Sequence, residues 1–385
     1  MVPGQPAGFD QEKRADHSPD RRKRSVAFQF KITVDKTKVS GTHSYFPYLF
    51  NTTTASIPAG FWLHVTDPDG GDIRFYDTNG ATELKREIVS FSSAGHTVEA
   101  IVIVPALDDT QDKEIWCRYG GAVAAYDPAM WSMVSAISVL HSERQTCGGG
   151  VCTTVDSVFG NAGCFNMDFP AGIIGNCAHY DVLPDAISVN RQILSGSFTF
   201  DMWVYNSGIG GSVYRTMIGA SAAGGPNIMF SLTDNDWLAI FGNIGFGIAM
   251  FDTVLGWKGI ATGGAYANWS GAWFKVTATW DGHVFRIYVN GNLIATSPSY
   301  TLNHVGTPNK SAGYGNFNST VRFQWLGNLD EMRIYAGDLA PEFILTEYNN
   351  QDDPATFSSC GPESPYPPGA ISGLRPGKTR GPFTG

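Results

Sequence analysis

The sequence predicts an all-β protein of two antiparallel β-sandwich domains in tandem, with an extended arm at each end. Three observations carry that reading. Short runs alternate apolar and polar residues at period two, turn clusters rich in Gly, Asn and Asp separate them, and no helical pattern intervenes between them. Composition agrees. Among 385 residues there are 45 glycines, 13% are aromatic, and only 16% are charged, as expected of short strands joined by tight turns. With 43% hydrophobic residues the chain can fill two cores and is not disordered throughout.

Charge and hydropathy narrow the function. A net charge of −9 disfavours nucleic acid as a partner. No run approaches the ~20 apolar residues that cross a bilayer, so membrane insertion is not expected. Met1 to Asp20 is polar and lacks the apolar segment of a secretory leader. The expectation is therefore a leader already removed, or release by cell lysis as for a virion protein.

The elements follow in order. Residues 1–25 read as a flexible arm, in which the basic run Arg21-Arg22-Lys23-Arg24 is offset by Asp10, Glu12, Asp16 and Asp20. Residues 26–125 read as a small β-sandwich, with strands at Phe28–Val34, Phe61–Thr66, Ile73–Tyr76, Val98–Val104 and Glu114–Tyr119. Turn clusters at Asp67–Gly71, Asp77–Gly80 and Leu107–Thr110 divide them. Residues 126–358 form the second domain. There Phe198, Phe200, Met202 and Val204 share one strand face, and Ala272–Ser297 is a three-strand meander turning at Asp281-Gly282 and Asn290-Gly291. A short helix starts at Pro341, where proline suits the first turn. Residues 359–385, with Pro365-Tyr-Pro-Pro368, form a Pro- and Gly-rich tail.

Two blocks of residues resemble known families. Gly71-Asp-Ile-Arg-Phe-Tyr-Asp77, Glu87-Ile88, a strand ending Val104-Pro105, and Ile115-Trp-Cys-Arg-Tyr-Gly120 together resemble a small β-domain of unknown function common in bacterial and phage surface proteins. Trp273-Phe-Lys-Val-Thr-Ala-Thr-Trp-Asp-Gly282, then Tyr288-Val-Asn-Gly-Asn-Leu293, then Gly327-Asn-Leu-Asp-Glu-Met-Arg-Ile-Tyr335, are similar to the concanavalin A-like, laminin-G-like jelly rolls. The resemblance implies a jelly roll over most of 130–358. It also implies one Ca²⁺ at the sandwich rim, with Asp330 as the best-matched ligand and Asp234 and Asp236 as nearby loop carboxylates. No other cofactor is required.

Catalysis is not expected. Jelly rolls of this class include glucanases, yet Glu143, Glu331, Glu342 and Glu347 do not fall into the Glu-x-Asp-x-x-Glu or Glu-x-Asp-x-Glu patterns of those enzymes. Asp330 and Glu331 are neighbours and should point to opposite strand faces. Glu83 and Glu87 have suitable spacing but read as solvated edge charge beside Lys85 and Arg86. Nucleophile elbows, P-loops and dinucleotide fingerprints are missing, and His141 and His179 stand isolated.

Sugar binding is the favoured chemistry, through aromatic faces in loop-like surroundings at Trp237, Trp257, Tyr266 and Trp269. For the cysteines, spacing suggests pairing of Cys147 with Cys152 and of Cys164 with Cys177. The expectation is a non-enzymatic structural and adhesive surface protein: a phage virion component such as a capsid decoration, fibre or tail-associated protein, located at the virion surface. A secreted bacterial adhesin or carbohydrate-binding module, extracellular or at the cell surface, and a glycoside hydrolase are the alternatives. Expected partners are copies of itself, other virion or surface proteins, and glycans.

Overall fold

The computed structural model describes residues 27–148, 151–165, 167–181, 186–188, 196–207, 215–221, 228–233, 238–252, 254–264, 270–302, 311–314 and 325–366. Both expected arms, 1–25 and the end of the tail beyond 366, lie outside these residues. In the first domain the strands are β1 (Ala27–Val34), β2 (Thr42–Asn51), β3 (Arg74–Tyr76), β4 (Arg86–Ser92), β5 (Thr97–Asp108) and β6 (Lys113–Tyr119), with helix α1 (Ala59–His64) after β2. The second domain opens with β7 (Ala136–Gly148), β8 (Val151–Asp156), β9 (Gly160–Phe165), β10 (Ala178–Tyr180) and β11 (Ala186–Ser188). It continues through β12 (Phe198–Asn206), β13 (Arg215–Ser221), β14 (Ile228–Thr233), α2 (Leu238–Phe241), β15 (Gly245–Asp252) and β16 (Gly256–Ala261). The meander is β17 (Trp273–Trp280), β18 (Phe285–Val289) and β19 (Asn292–Thr296), followed by β20 (Ser311–Tyr314) and β21 (Gly327–Ala336). Last come α3 (Pro341–Asp352), α4 (Pro354–Phe357), β22 (Ser358–Cys360) and β23 (Ser364–Tyr366).

The chain is all-β and antiparallel, as expected. In the second domain a single hydrogen-bonded path runs β16-β15-β14-β13-β20-β11-β9-β8-β7-β21-β12-β17-β18-β19, with β10 attached to β21. The path curls until its two ends, β15–β16 and β18–β19, meet. Phe198, Phe200, Met202 and Val204 point inward to a core shared with Phe230, Ile248, Val276, Trp280, Ile287 and Ile334. The second meander turn is set by Asn290 (φ 50°) and Gly291 (φ 76°), the pair of left-handed residues that a tight two-residue hairpin demands.

Two expectations for the first domain change. Residues 61–64 are the end of helix α1, not a strand; Phe61 is fully buried there and packs edge-on to Phe30, Phe50 and Tyr119. A six-residue helix is too short for its pattern to differ from an alternating run. The start of the expected tail supplies two strands: β22 and β23 both pair with β1, so residues 358–366 complete the sheet β22-β1-β6-β3. Phe357 and Cys360 lie in the first domain's core.

The sheet β2-β5-β4 is buried on both faces. Tyr48, Phe50, Ala100, Val102 and Val104 enter the first core, while Leu49, Val89, Ile101 and Ile103 face Trp131, Val139, Ile174 and Tyr335 of the second domain's side. Strands buried on both sides carry continuous apolar runs, which is why Ala100–Val104 has no polar residue. Burial of each such aliphatic side chain is worth on the order of 1.5–3 kcal/mol.

Helix α3 wedges between the domains and is polar on most sides, as a bridging helix can be. Towards the first domain, Asn350 accepts from Leu49 N (2.7 Å), Thr346 Oγ1 accepts from Ser40 N (2.9 Å), and Asn349 Nδ2 donates to Lys38 O (2.8 Å). Towards the jelly roll, Gln351 Oε1 accepts from both Trp203 Nε1 and Lys275 Nζ at 2.8 Å.

Candidate functional site

The outer face of the β10-β21-β12-β17 sheet holds polar and aromatic side chains, because the inward positions are spent on the core. Most of that face is covered by α3 and the first domain. The covered part is a network of buried charge. Lys275 Nζ meets Asp201 (2.6 Å) and Glu347 (3.5 Å), and Arg333 pairs with both Glu331 and Glu347. His141 Nδ1 lies 2.6 Å from Glu331, and its Nε2 lies 3.6 Å from Glu87 of the first domain. Glu87 also accepts from Trp131 Nε1 (2.9 Å) and Ser157 Oγ (2.7 Å).

The electrostatics follow from that packing. Burial alone would lower the pKa of His141, but Glu331 and Glu87 hold it up at about 10, so the ring is an imidazolium. Burial alone would raise Glu331, yet His141 and Arg333 hold it below the ordinary carboxylate range. Glu99, beside the network on β5, has the opposite fate: burial, then the neighbouring Glu143, push it up to about 8. Glu87 is thus 1% exposed and cross-bonded between domains, not the solvated edge charge its spacing suggested; Glu83 is the surface member and pairs with Arg74. Nor do Asp330 and Glu331 part to opposite faces. Glu331 has φ 47° at a β-bulge, and the extra residue lets both carboxylates enter the buried layer.

Asp330 is fully buried and engaged. Its Oδ2 accepts from Ile173 N and Ile174 N at 3.0 Å each, and its Oδ1 from Glu331 N at 2.8 Å. It ties down a loop where an open rim ligand was expected. Asp234 and Asp236 lie outside the described residues. Among the described residues no group of three His, Cys, Asp or Glu side chains is arranged to hold a metal.

Where the face emerges from this cover, four side chains form a stripe across four strands. His179 on β10 pairs in register with Asn328 on β21, Asn328 with Tyr205 on β12, and Tyr205 with Trp273 on β17. Directly opposed residues share a sheet face. The Tyr205 and Trp273 rings lie 5.5 Å apart at 50°, and His179 Nδ1 donates to Asn328 Oδ1 at 2.5 Å. His179 is therefore not isolated. A hairpin closes the far side: His179 N donates to Asp168 O (2.9 Å) and Cys177 N to Pro170 O (2.8 Å). Asp168, Phe169, Pro170, His179, Tyr205, Ser207 and Asn328 line a shallow, open cleft of about 560 Å³.

The aromatic residues expected at a sugar site fare differently. Trp237, Tyr266 and Trp269 lie outside the described residues. Trp257 is half-buried on β16, edge-on to Phe251 at 5.6 Å, and packs on Met229, Phe241, Ala249 and Ala261. It supports its own hairpin and does not line the cleft. His179, Tyr205 and Asn328 carry no loop signal in the sequence because they sit on strands, at outward positions one step from inward-facing core residues. Tyr205, directly after Val204, was the available signal.

The cysteine expectation is corrected in part. Cys164 and Cys177 are buried free thiols. Cys164 faces the jelly-roll core from β9, whereas Cys177 Sγ turns to Pro170 O (3.5 Å) and Ala171 O (3.6 Å) in the hairpin. Cys147 and Cys152 are cross-strand partners in the β7–β8 hairpin; their side chains lie outside the described set. No described helix is long and apolar enough to cross a membrane.

A family comparison agrees with the architecture of the second domain. Residues 183–344 match the sequence profile of the concanavalin A-like lectin/glucanases superfamily, in its laminin-G group. No curated protein matches the chain by sequence. Among solved structures, the receptor-binding domain of botulinum neurotoxin D is 18% identical, with TM-score 0.41, covering 56% of this chain and 53% of its own. The binding domain of a paraclostridial mosquitocidal protein is 15% identical, with TM-score 0.41 and coverages of 56% and 52%. Domain 4 of an extracellular arabinanase from Geobacillus stearothermophilus, in complex with arabinotriose, is 18% identical, with TM-score 0.40 and coverages of 51% and 92%. The chain spans about half the length of the two toxin domains. What those proteins bind is theirs; the case for this chain rests on its own residues.

Proposed function

We propose that this chain, whose residues 183–344 are a concanavalin A-like jelly roll, is a non-enzymatic surface protein that binds glycans in the cleft beside Tyr205 and Asn328. The stripe Trp273–Tyr205–Asn328–His179 carries the reading. Sugar rings present C–H faces that stack on aromatic rings, and hydroxyls that need directional donors and acceptors. Tyr205 and Phe169 supply the first; Asn328, His179, Asp168 and Ser207 supply the second around the same cleft. Hydrolysis takes two carboxylates, and among the described lining residues Asp168 is the single one.

The setting we infer is the outside of a particle, as a phage virion component, on the resemblance of the first domain to those of phage and bacterial surface proteins. A secreted adhesin or carbohydrate-binding module is the alternative. Co-sedimentation of the native chain with virions separates the two.

The binding test is a broad glycan array probed with the full chain, followed by calorimetry on the best oligosaccharide. Tyr205→Ala and Asn328→Ala should each weaken binding about tenfold or more, by loss of one stacking or hydrogen-bonding contact. Trp257→Ala should leave it unchanged. An array without a single bound glycan, or full affinity in both cleft variants, overturns the proposal.

A further inference from the structure

We infer that the tip of the Asp168–His179 hairpin, clamped at the domain interface, sets the shape of the cleft, so that Gly175, Glu143 and Asp330 are positioning residues for binding. The inference rests on the glycan reading of that cleft.

The hairpin has two ends with different surroundings. Its base supplies Asp168, Phe169, Pro170 and His179 to the cleft. Its tip turns through Gly172 N donating to Gly175 O (2.7 Å) and is fastened at three neighbouring amides. Ile173 N and Ile174 N donate to Asp330, Asn176 N donates to Glu143 Oε1, and Asn176 Nδ2 to Glu143 Oε2 at 3.0 Å. Ile174 is buried in the interdomain cluster with Leu49, Ile101 and Trp131.

Gly175 shows how close the approach is. Its φ is +60°, and a Cβ built there would stand 1.8 Å from Glu143 Oε1 and 2.5 Å from Glu99 Oε2. Glu99 belongs to the first domain. A side chain there would have to displace the tip or push aside two carboxylate ends, one of them held by Asn176, and it would sit at a backbone angle that favours glycine. Four residues lie between Pro170 and Gly175, and the cross-strand hydrogen bonds Cys177 N to Pro170 O and His179 N to Asp168 O hold the base of the hairpin together. A displaced tip must tilt the base, and a site whose walls tilt loses its fit.

The experiment uses the full chain with four variants. Gly175→Ala forces the tip off both carboxylates; Glu143→Ala removes the acceptor of Asn176 N; Glu143→Gln keeps an acceptor there. Gly160→Ala is the control: it has φ +89° with nothing within 4 Å, so it imposes left-handed backbone strain without a steric clash, away from the hairpin. Affinity for the best array oligosaccharide should fall about tenfold, the equivalent of roughly 1.4 kcal/mol, in Gly175→Ala and Glu143→Ala. Glu143→Gln and Gly160→Ala should bind as the wild type does. Wild-type affinity in the first two variants overturns the inference.

Amide hydrogen exchange at Cys177 and His179 provides the second readout. It should accelerate in Gly175→Ala and Glu143→Ala but not in Gly160→Ala. If the wild type binds no sugar, the glycan reading fails by itself, and exchange still decides the coupling: unchanged protection at both amides refutes it.

Discussion

Replacing His141 by alanine should destabilise the native state by about 3–5 kcal/mol, the usual result of breaking a buried ion pair and stranding its partners. The ring is 4% exposed and lies between Glu331 of the jelly roll and Glu87 of the first domain. Its pKa rises from 6.5 to about 10; at roughly 1.36 kcal/mol per pH unit that is about 5 kcal/mol, in line with the mutational range. The sign follows from the direction. A folded state that holds the proton more tightly than the unfolded chain gains this stability fully below pH 6.5, and loses it as pH rises towards about 10. Glu99 acts the same way at lower pH, since its carboxyl rises from 4.5 to about 8. Wild-type protein should therefore weaken progressively under alkaline conditions. The assay is urea unfolding followed by tryptophan fluorescence at intervals from pH 6.5 to about 10. In His141→Ala the midpoint should start lower and fall less over that window. A flat wild-type midpoint across it, or an identical slope in the variant, would refute the imidazolium bridge.

Three further outcomes are expected. Under native conditions a thiol reagent should leave Cys117, Cys164, Cys177 and Cys360 unlabelled, because all four are buried and burial pushes their thiols up; peptide mapping after native and denaturing labelling checks this, and a Cys164–Cys177 linked peptide contradicts it. Chelating divalent cations should not shift the unfolding midpoint, since Asp330 is engaged by three backbone amides. A drop reversed by added calcium would restore Asp330, Asp234 and Asp236 as ligands. Ending the chain after Phe357 removes β22, β23 and the Tyr48–Ser358 and Tyr119–Glu363 hydrogen bonds, at about 1 kcal/mol per lost bond; hydrogen exchange along β1 should accelerate, and unchanged protection there would count against the pairing.

The fold was largely legible because period-two alternation and turn chemistry are local. Ser197–Val204, the Asp281-Gly282 and Asn290-Gly291 turns and the closing strand at Gly327–Tyr335 all occupy the expected strands and turns. What local pattern could not reveal was which polar residues would be covered by another domain. Glu87 beside Lys85 and Arg86 has the composition of a surface edge, and only the docking of β2-β5-β4 on the jelly roll buries it. The cleft is equally non-local. His179, Asn328, Tyr205 and Trp273 are separated by 26 to 149 positions along the chain, and only cross-strand register makes them neighbours. A search for aromatics in loops passes over a stripe built from strand ends.

The pairing of β1 with β22 and β23 has a mechanical consequence. Ala27 and Tyr366 are cross-strand partners, so the chain enters and leaves the first domain along one edge, with the jelly roll as an excursion between β6 and α3. Tension applied between positions 27 and 366 would act on antiparallel neighbours from their shared end. Their hydrogen bonds would then open singly, as in unzipping, and not together, as in shear. The load would be taken at that end of the β1–β23 pair, while the jelly roll and its buried charges carried none of it. Tethered through that edge, the molecule would yield first at β23 and keep its cleft intact.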